Sequence, residues 1–500
     1  MEVSTTVPLL LLCAAISLSL PLLHHVHGRK NQKTGRLPPG PPALLFLAKF
    51  LASGRSIYDV ASPLLRDLHA RYGPVVSLRL ANTHVFVADR RLAHRMLVQG
   101  GATFADRPPA AEPRPLFTAG GRDISGSSHG SYWRLVRRNL AGKALHPSCV
   151  GLFAPARRSA CDALVRSLRE RGANGEPVTL RPLLRRAMFE LLVYMCFGVQ
   201  LGQGALDEIV ELQHRVVLSL TDFPIFAFFP AVTKRLFRRR WAAYVAERQM
   251  QEELFVPLIH ATRGGGGDPP CYADSLLSVR VADEGDRPLT DAEMVSLCSE
   301  FLNGGTDTVL AVTEWIMAEL VNHPDVQAKL YEEVSAKPEL NDGDIQAMPY
   351  LKVVVLEGLR LHPPTHFILP HSSQRGADIG GYTVPKGADV NFMVAEIGRD
   401  ETVWTAAREF RPERFLDGGE GQGVDITGSR EIKMMPFGAG RRMCPGYSLG
   451  IHHAEYFVAR MVKELEWLPP VGNTVVDMTE ELEFTVMMKH PLRARVLARN

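Results

Sequence analysis

Residues 436–450 read "PFGAGRRMCPGYSLG". One cysteine, Cys444, follows Gly438, Gly440 and two arginines and precedes Pro445-Gly446. Downstream, Leu449, Phe457, Met461 and Leu465 recur at helical spacing, which predicts a helix with Pro445 at its first position. Cys444 then lies at a helix N-terminus, where unpaired N–H groups and the macrodipole favour a thiolate. Gly438, Gly440 and Gly446 let backbone approach the sulfur and donate to it. Such a thiolate is a nucleophile or a metal ligand. A nucleophile needs a positioned base, and His452 and His453 lie about two helical turns away. An axial metal ligand fits better.

The rest of the chain sets the context. Its 500 residues are 46% hydrophobic and 22% charged, ordinary values for a globular protein with a large core. A net charge of +3 gives no reason to expect nucleic acid as a partner. Seven cysteines are scattered without a C-x-x-C pair, which suits a reducing compartment and is neither a disulfide framework nor a zinc site.

Residues 7–26, "VPLLLLCAAISLSLPLLHHV", are uncharged and mostly apolar; as a helix they would span about 30 Å, enough for a bilayer core. Arg29, Lys30, Lys33 and Arg36 follow, whereas only Glu2 precedes, so the body is expected on the cytosolic side of an uncleaved anchor. A signal peptide would carry its basic residues in front and a small-residue site behind. "LPPGPP" at 37–42 reads as a stiff extended connector, and "RGGGGDPP" at 263–270 as a flexible surface link. The expected division is an anchor over 1–28, a linker over 29–42 and a body over 43–500. The body reads mainly helical with some sheet, including a hairpin over Ile379 to Phe392.

One helix stands out over residues 289–324. Thr290 and Glu293 have capping-box spacing, and no proline interrupts the run before Pro324. About 30 residues give a helix of roughly 45 Å, apolar on nearly every face and so buried. Its middle nevertheless holds Gly304-Gly305 and the acid Asp307. Either a tight helix crossing requires the glycines and a distant base pairs Asp307, or something flat lies there with Asp307 and Thr308 handling protons.

These residues resemble a known family. "FGAGRRMCPG" matches the F-x-x-G-x-R-x-C-x-G haem fingerprint of the cytochrome P-450 superfamily at Phe437, Gly440, Arg442, Cys444 and Gly446. "WRLVR" (Trp133, Arg137), "GGTDT" (304–308), "EGLR" (Glu357, Arg360) and "FRPERF" (Arg414) follow the family's order, and "PERF" with "FADRP" looks like its plant microsomal branch. The resemblance spans essentially the whole chain. It implies a mainly α fold with a smaller β portion behind one N-terminal membrane helix, in the endoplasmic reticulum membrane with the catalytic body cytosolic. Its cofactor would be haem b, with Cys444 the axial ligand of the iron. Arg442, Trp133, Arg137 and, further off, His371 would bond the propionates, while Phe437 shields the sulfur and Gly440 and Gly446 shape the loop. Glu357, Arg360 and Arg414 would form a buried charge triad locking the cysteine loop. Thr308 and Asp307 would supply the protons of oxygen activation. Gly304 stands where the family commonly has Ala, and Val309 where a second threonine is frequent.

The resemblance further implies a monooxygenase using O2 and NADPH, the electrons arriving through NADPH–cytochrome P-450 reductase with cytochrome b5 as an optional second donor. Arg134, Arg138, Lys143, Lys433 and Arg441 are candidates for a basic docking face. Pocket walls by resemblance are 110–128, 222–230, the helix near Asn303, 365–369 and 484–488, largely apolar, with Arg114 and Arg122 the candidates for clamping a carboxylate. A hydrophobic organic substrate is expected. A haem-thiolate isomerase or dehydratase and a non-catalytic haem protein are the alternatives; neither has a use for the Asp307-Thr308 pair.

Overall fold

The computed structural model describes residues 36–42, 57–79, 82–221, 225–227, 229–262, 269–472 and 475–499. The expected anchor and the glycine run 263–268 lie outside them. No helix among the described residues is long and apolar enough to cross a membrane. The chain divides into two compact units, Met1–Pro108 with Phe367–Met393, and Pro109–His366 with Val394–Asn500.

In the smaller unit, helix α1 (Ile57–Tyr72) leads into a four-stranded sheet in the order Val75–Arg79, Thr83–Val87, Asp389–Phe392, His371–Ser372. Val75, Val76, Leu78, Val85, Val87, Val390 and Phe392 are buried, which fixes the register wherever the sheet meets its core. The proline-rich connector is extended, as its composition dictates, but it is docked rather than free. The Ser77 hydroxyl donates to Pro38 O at 2.7 Å and the Ser77 N–H to Pro39 O at 2.8 Å. A Cβ on Gly40 would lie 1.8 Å from Ser77 O, so only glycine fits there. The expected 379–392 hairpin is shorter and sits earlier. Ala377–Ile379 pairs with Tyr382–Val384 across Gly380-Gly381, whose φ values of 57° and 83° suit a two-residue turn. Asp389–Phe392 instead joins the larger sheet, parallel to Thr83–Val87. His371 lies here too, its Nδ1 donating to Phe104 O at 2.6 Å.

The larger unit is helical: α2 (Ser131–Lys143), α3 (Ala154–Gly172), α4 (Leu180–Phe197), α5 (Gln203–Thr221), α6 (Arg238–Ala261), α7 (Asp291–Asn322), α8 (Pro324–Ser335), α9 (Pro349–Leu361) and α10 (Tyr447–Glu464). Among the described residues its strands are few: Leu465–Leu468, Arg493–Ala498 and Val178–Thr179 in one sheet, Glu480–Leu482 with Val486–Met488 in another, and Arg280–Val281 with Arg287–Pro288 in a third. α7 is the predicted long helix. Thr290 Oγ1 accepts from the Glu293 N–H, and the Glu293 carboxylate accepts from the Thr290 N–H. Most of α7 is buried, with Trp315, Ile316 and Met317 fully enclosed. Neighbouring helices reach it where glycine permits: a Cβ on Gly358 of α9 would lie 2.3 Å from Ile316 Cγ1. α10 begins two residues later than its sequence suggests, at Tyr447, with Gly446 as its cap and Pro445 outside. The preceding residues make instead a 3₁₀ turn over Gly440–Arg442, since φ of 70° and 73° at Gly438 and Gly440 bends the chain out of helical register.

Candidate active site

The cysteine loop is held by its own backbone. The Cys444 N–H donates to Phe437 O at 2.9 Å, and Gly438 N–H to Met435 O at 3.0 Å. Burial pushes the Cys444 thiol up, opposed by the Gly446 N–H directed at the sulfur and by the Arg137 guanidinium. A bound cation at the sulfur would reverse that balance.

Beside this loop, α2 presents Trp133 and Arg137 one turn apart. Arg442 lies over the Trp133 ring at 4.4 Å and Arg137 at 5.6 Å from its centre. All three donate to main-chain carbonyls: Trp133 Nε1 to Ile124 O at 3.1 Å, Arg442 Nη2 to Ser127 O at 2.6 Å, and Arg137 to Met443 O. The segment carrying those carbonyls is pinned by a residue that sequence reasoning missed. Glu300 of α7 accepts from the Ile124 and Ser125 N–H groups, each at 2.7 Å. Burial and the nearby Asp123 carboxylate lift its pKa to about 7. An acid in the apolar run of α7 is the same signal that singled out Asp307, and it could have found Glu300.

Farther along α7 the tight-crossing reading holds for Gly305, with Asp307 paired to a base distant in sequence. A Cβ on Gly305 would lie 2.9 Å from Leu192 Cδ1, so α4 crosses tightly there, and Asp307 faces Arg185 of α4 at 3.4 Å. Gly304 is exposed in the middle of this buried helix, and a Cβ there would meet nothing within 4 Å. Thr308, one turn on, is half-buried and donates its hydroxyl to Gly304 O at 2.7 Å. α7 therefore has one open face at its centre, carrying Gly304 and Thr308. That face and the cysteine loop are close through α10: a Cβ on Gly450 would lie 3.8 Å from Phe437 Cε1 and 3.9 Å from Val309 Cγ2.

The charge triad forms as expected, with one correction to what it grips. Glu357 takes Arg360 at 2.7 Å and Arg414 at 3.1 Å, with all three side chains buried. The arginines' remaining donors bind carbonyls of Gly398, Ala407, Thr405 and Glu409, so the triad clamps the segment 398–414 rather than the cysteine loop itself. It reaches the approach to that loop through Trp404, which donates to Lys433 O and packs with Met434, and through Glu420, which pairs with Arg414 and accepts from Lys433 Nζ.

Residues 38–497 match the cytochrome P450 family model. The chain belongs to the cytochrome P450 family. It is thus a haem-binding monooxygenase. Cytochrome P450 89A9 of Arabidopsis thaliana is 39% identical over the whole of both chains. A 9-beta-pimara-7,15-diene oxidase of Oryza sativa subsp. japonica is 31% identical, covering 93% of this chain and 92% of its own length. A flavonoid 3'-monooxygenase of Arabidopsis thaliana is 30% identical with the same coverage. In fold, a zebra fish cytochrome P450 structure with progesterone gives a TM-score of 0.75 at 22% identity, covering 87% of this chain and 99% of that one. The residues of this P450 suit haem: a half-buried thiol with an N–H aimed at it, two arginines stacked on an indole beside it, and an open face on α7.

Two expectations about partners change. Arg114 pairs with Asp123 at 3.1 Å, and Arg122 with Glu284 at 2.5 Å, so neither is left to clamp a substrate carboxylate. Of the basic face, Arg134, Arg138, Lys143 and Arg441 are exposed, whereas Lys433 is half-buried and donates to Glu420 O at 3.0 Å. Phe226 is core, edge-on to Trp241 and Tyr244, while Phe229 is exposed; Phe228 lies outside the described residues.

Proposed function

We propose that this P450 inserts one oxygen atom from O2 into a hydrophobic organic substrate, by hydroxylation or epoxidation, with electrons from an NADPH-dependent reductase. The open Gly304–Thr308 face of a buried helix, close to the cysteine loop through Gly450, is the observation that carries this reading. Bound haem supplies the iron at which oxygen is activated. Cys444 would hold that iron through its thiolate, steadied by the Gly446 N–H. Arg442 and Arg137, stacked on the Trp133 ring, would hold the propionates; Phe437 would cover the sulfur, and Gly440 and Gly446 would keep the loop close. Thr308 and Asp307 move protons, Asp307 being replenished from the partly exposed Arg185 side of α4. Glu357, Arg360 and Arg414 hold the frame. Relatives named for flavonoid and diterpene oxidation support an apolar substrate.

In this reading the chain is anchored through residues 1–28 in the endoplasmic reticulum membrane. Its body faces the cytosol, and Arg134, Arg138, Lys143 and Arg441 meet the acidic reductase, with cytochrome b5 as a second donor. The test is the reduced, carbon-monoxide-bound spectrum of the membrane-expressed chain, followed by turnover. A strongly red-shifted Soret band and product that needs both O2 and NADPH are expected. An unshifted band would remove Cys444 from the iron, and oxygen-independent turnover would replace the oxygenase by an isomerase.

A further inference from the structure

Four side chains between α5, α6 and α7 form a hydrogen-bond chain with a fixed direction. Arg248 of α6 donates Nη1 to Gln251 Oε1 at 2.9 Å. Gln251 Nε2 donates to Gln213 Oε1 of α5 at 2.8 Å, and Gln213 Nε2 donates to Asn303 Oδ1 of α7 at 3.2 Å. Gln213 and Gln251 are fully buried and Arg248 nearly so. Amide orientation is settled here by chemistry at both ends. Arg248 can only donate, which makes Gln251 present its oxygen to it. Gln213 Nε2 also lies 3.3 Å from Ser299 O, a carbonyl that can only accept. Reversing any amide along the chain would set two donors or two acceptors against each other.

The consequence falls on Asn303. Its oxygen is consumed, so its Nδ2 and two N–H donors form the free end of the chain. Among the described residues Nδ2 has no protein partner, and it is not sealed off from solvent. Asn303 is half-buried and adjoins Gly304, beside which the space is open. The charge on Arg248 polarises each bond in the same sense, strengthening the terminal donor. Arg248 at the head of the chain is matched to Glu252, and Arg185, which faces α7, to Asp307. A carboxylate would find no counter-charge among them. A neutral acceptor would be satisfied.

We propose that Asn303 is a specificity-determining residue that binds a neutral carbonyl oxygen of an otherwise apolar substrate, with Gln213 as the residue that positions it. This rests on the monooxygenase reading and narrows its substrate class. The experiment uses matched probes, cyclododecanone against cyclododecane and fluorenone against fluorene, titrated into the full-length haem-loaded chain and read by the Soret shift. Wild type binds each ketone about fivefold more tightly than its hydrocarbon, the yield of one neutral hydrogen bond. Asn303→Leu brings the ratio to about one with hydrocarbon affinity retained. Gln213→Leu gives an intermediate ratio, because the amide is free to turn. Asn303→Asp, which keeps the shape but offers a carboxylate, takes the ratio below one and decides the matter if the leucine variant does not fold. A wild-type ratio near one in both pairs, or no binding, overturns the proposal, as does a wild-type ratio retained in both Asn303 variants. The reduced carbon-monoxide spectrum of each preparation keeps the two readings apart: loss of the red-shifted band in wild type overturns the haem-thiolate reading, whereas an intact band with no ketone preference overturns only this inference.

Discussion

At Glu357 one buried carboxylate answers two buried guanidinium groups, and the three together bridge α9 to the segment 398–414. Removing the acid leaves Arg360 without its counter-ion in a dry site and Arg414 with Glu420 alone. Glu357→Gln is expected to cost about 3–5 kcal/mol, seen as a large fall in Tm and loss of the haem-loaded fraction. An unchanged Tm would mean that the carbonyl bonds of Arg360 and Arg414 suffice. Asp307 and Thr308 are a different case, because little in the fold depends on them. Asp307 has one partner at 3.4 Å, and Thr308 bonds only within its own helix. Asp307→Asn and Thr308→Val should leave Tm within about 1 kcal/mol of wild type in stability. Product formation should nevertheless fall about a hundredfold, with a larger solvent isotope effect. Equal rates in heavy and light water would place proton delivery elsewhere.

At the scale of the element, α7 carries two adjacent glycines with opposite needs. Gly305→Ala drives a methyl against Leu192 and should destabilise by about 1–3 kcal/mol. Gly304→Ala meets nothing and should stabilise α7 by up to about 1 kcal/mol while filling part of the open face. Thermal melts of the pair check this, and the same sign for both would refute the assignment. Glu300 adds a pH dependence. Its pKa is raised in the folded chain, to about 7, so its neutral form is the one folding favours. That contribution is complete below the ordinary carboxylate range and disappears as pH rises through about 7. Wild type should therefore lose stability relative to Glu300→Gln between about pH 4.5 and 7. Parallel stability curves across that window would show that the two backbone N–H bonds keep Glu300 ionised.

For the whole molecule, Arg134, Arg138 and Lys143 of α2 and Arg441 of the cysteine loop are exposed. If an acidic electron donor docks there, reversing Arg134 and Arg441 to Glu should raise the KM for reductase about tenfold. It should also weaken the salt dependence of electron transfer, with kcat at saturating donor unchanged. A KM that stays at the wild-type value would move the docking face.

The sequence determined the parts that are local. Capping-box spacing at Thr290 and Glu293, an uninterrupted apolar run and the fingerprint around Cys444 are each readable from neighbours a few residues apart, and α7 and the cysteine loop follow from them. Tertiary structure decided what depends on partners far along the chain. It assigned Asp389–Phe392 to the four-stranded sheet, parallel to Thr83–Val87, rather than to a hairpin, because that pairing satisfies backbone that the local pattern leaves open. It raised the Cys444 thiol, because burial is a property of the packed molecule and not of the loop. It brought Glu300 under Ile124 and Ser125, 175 or more residues away in sequence, and turned Arg114 and Arg122 toward acids. It also aligned Arg248, Gln251, Gln213 and Asn303. Hydrogen-bond direction along such a chain exists only once three helices meet, which is why no periodicity in the sequence announces it.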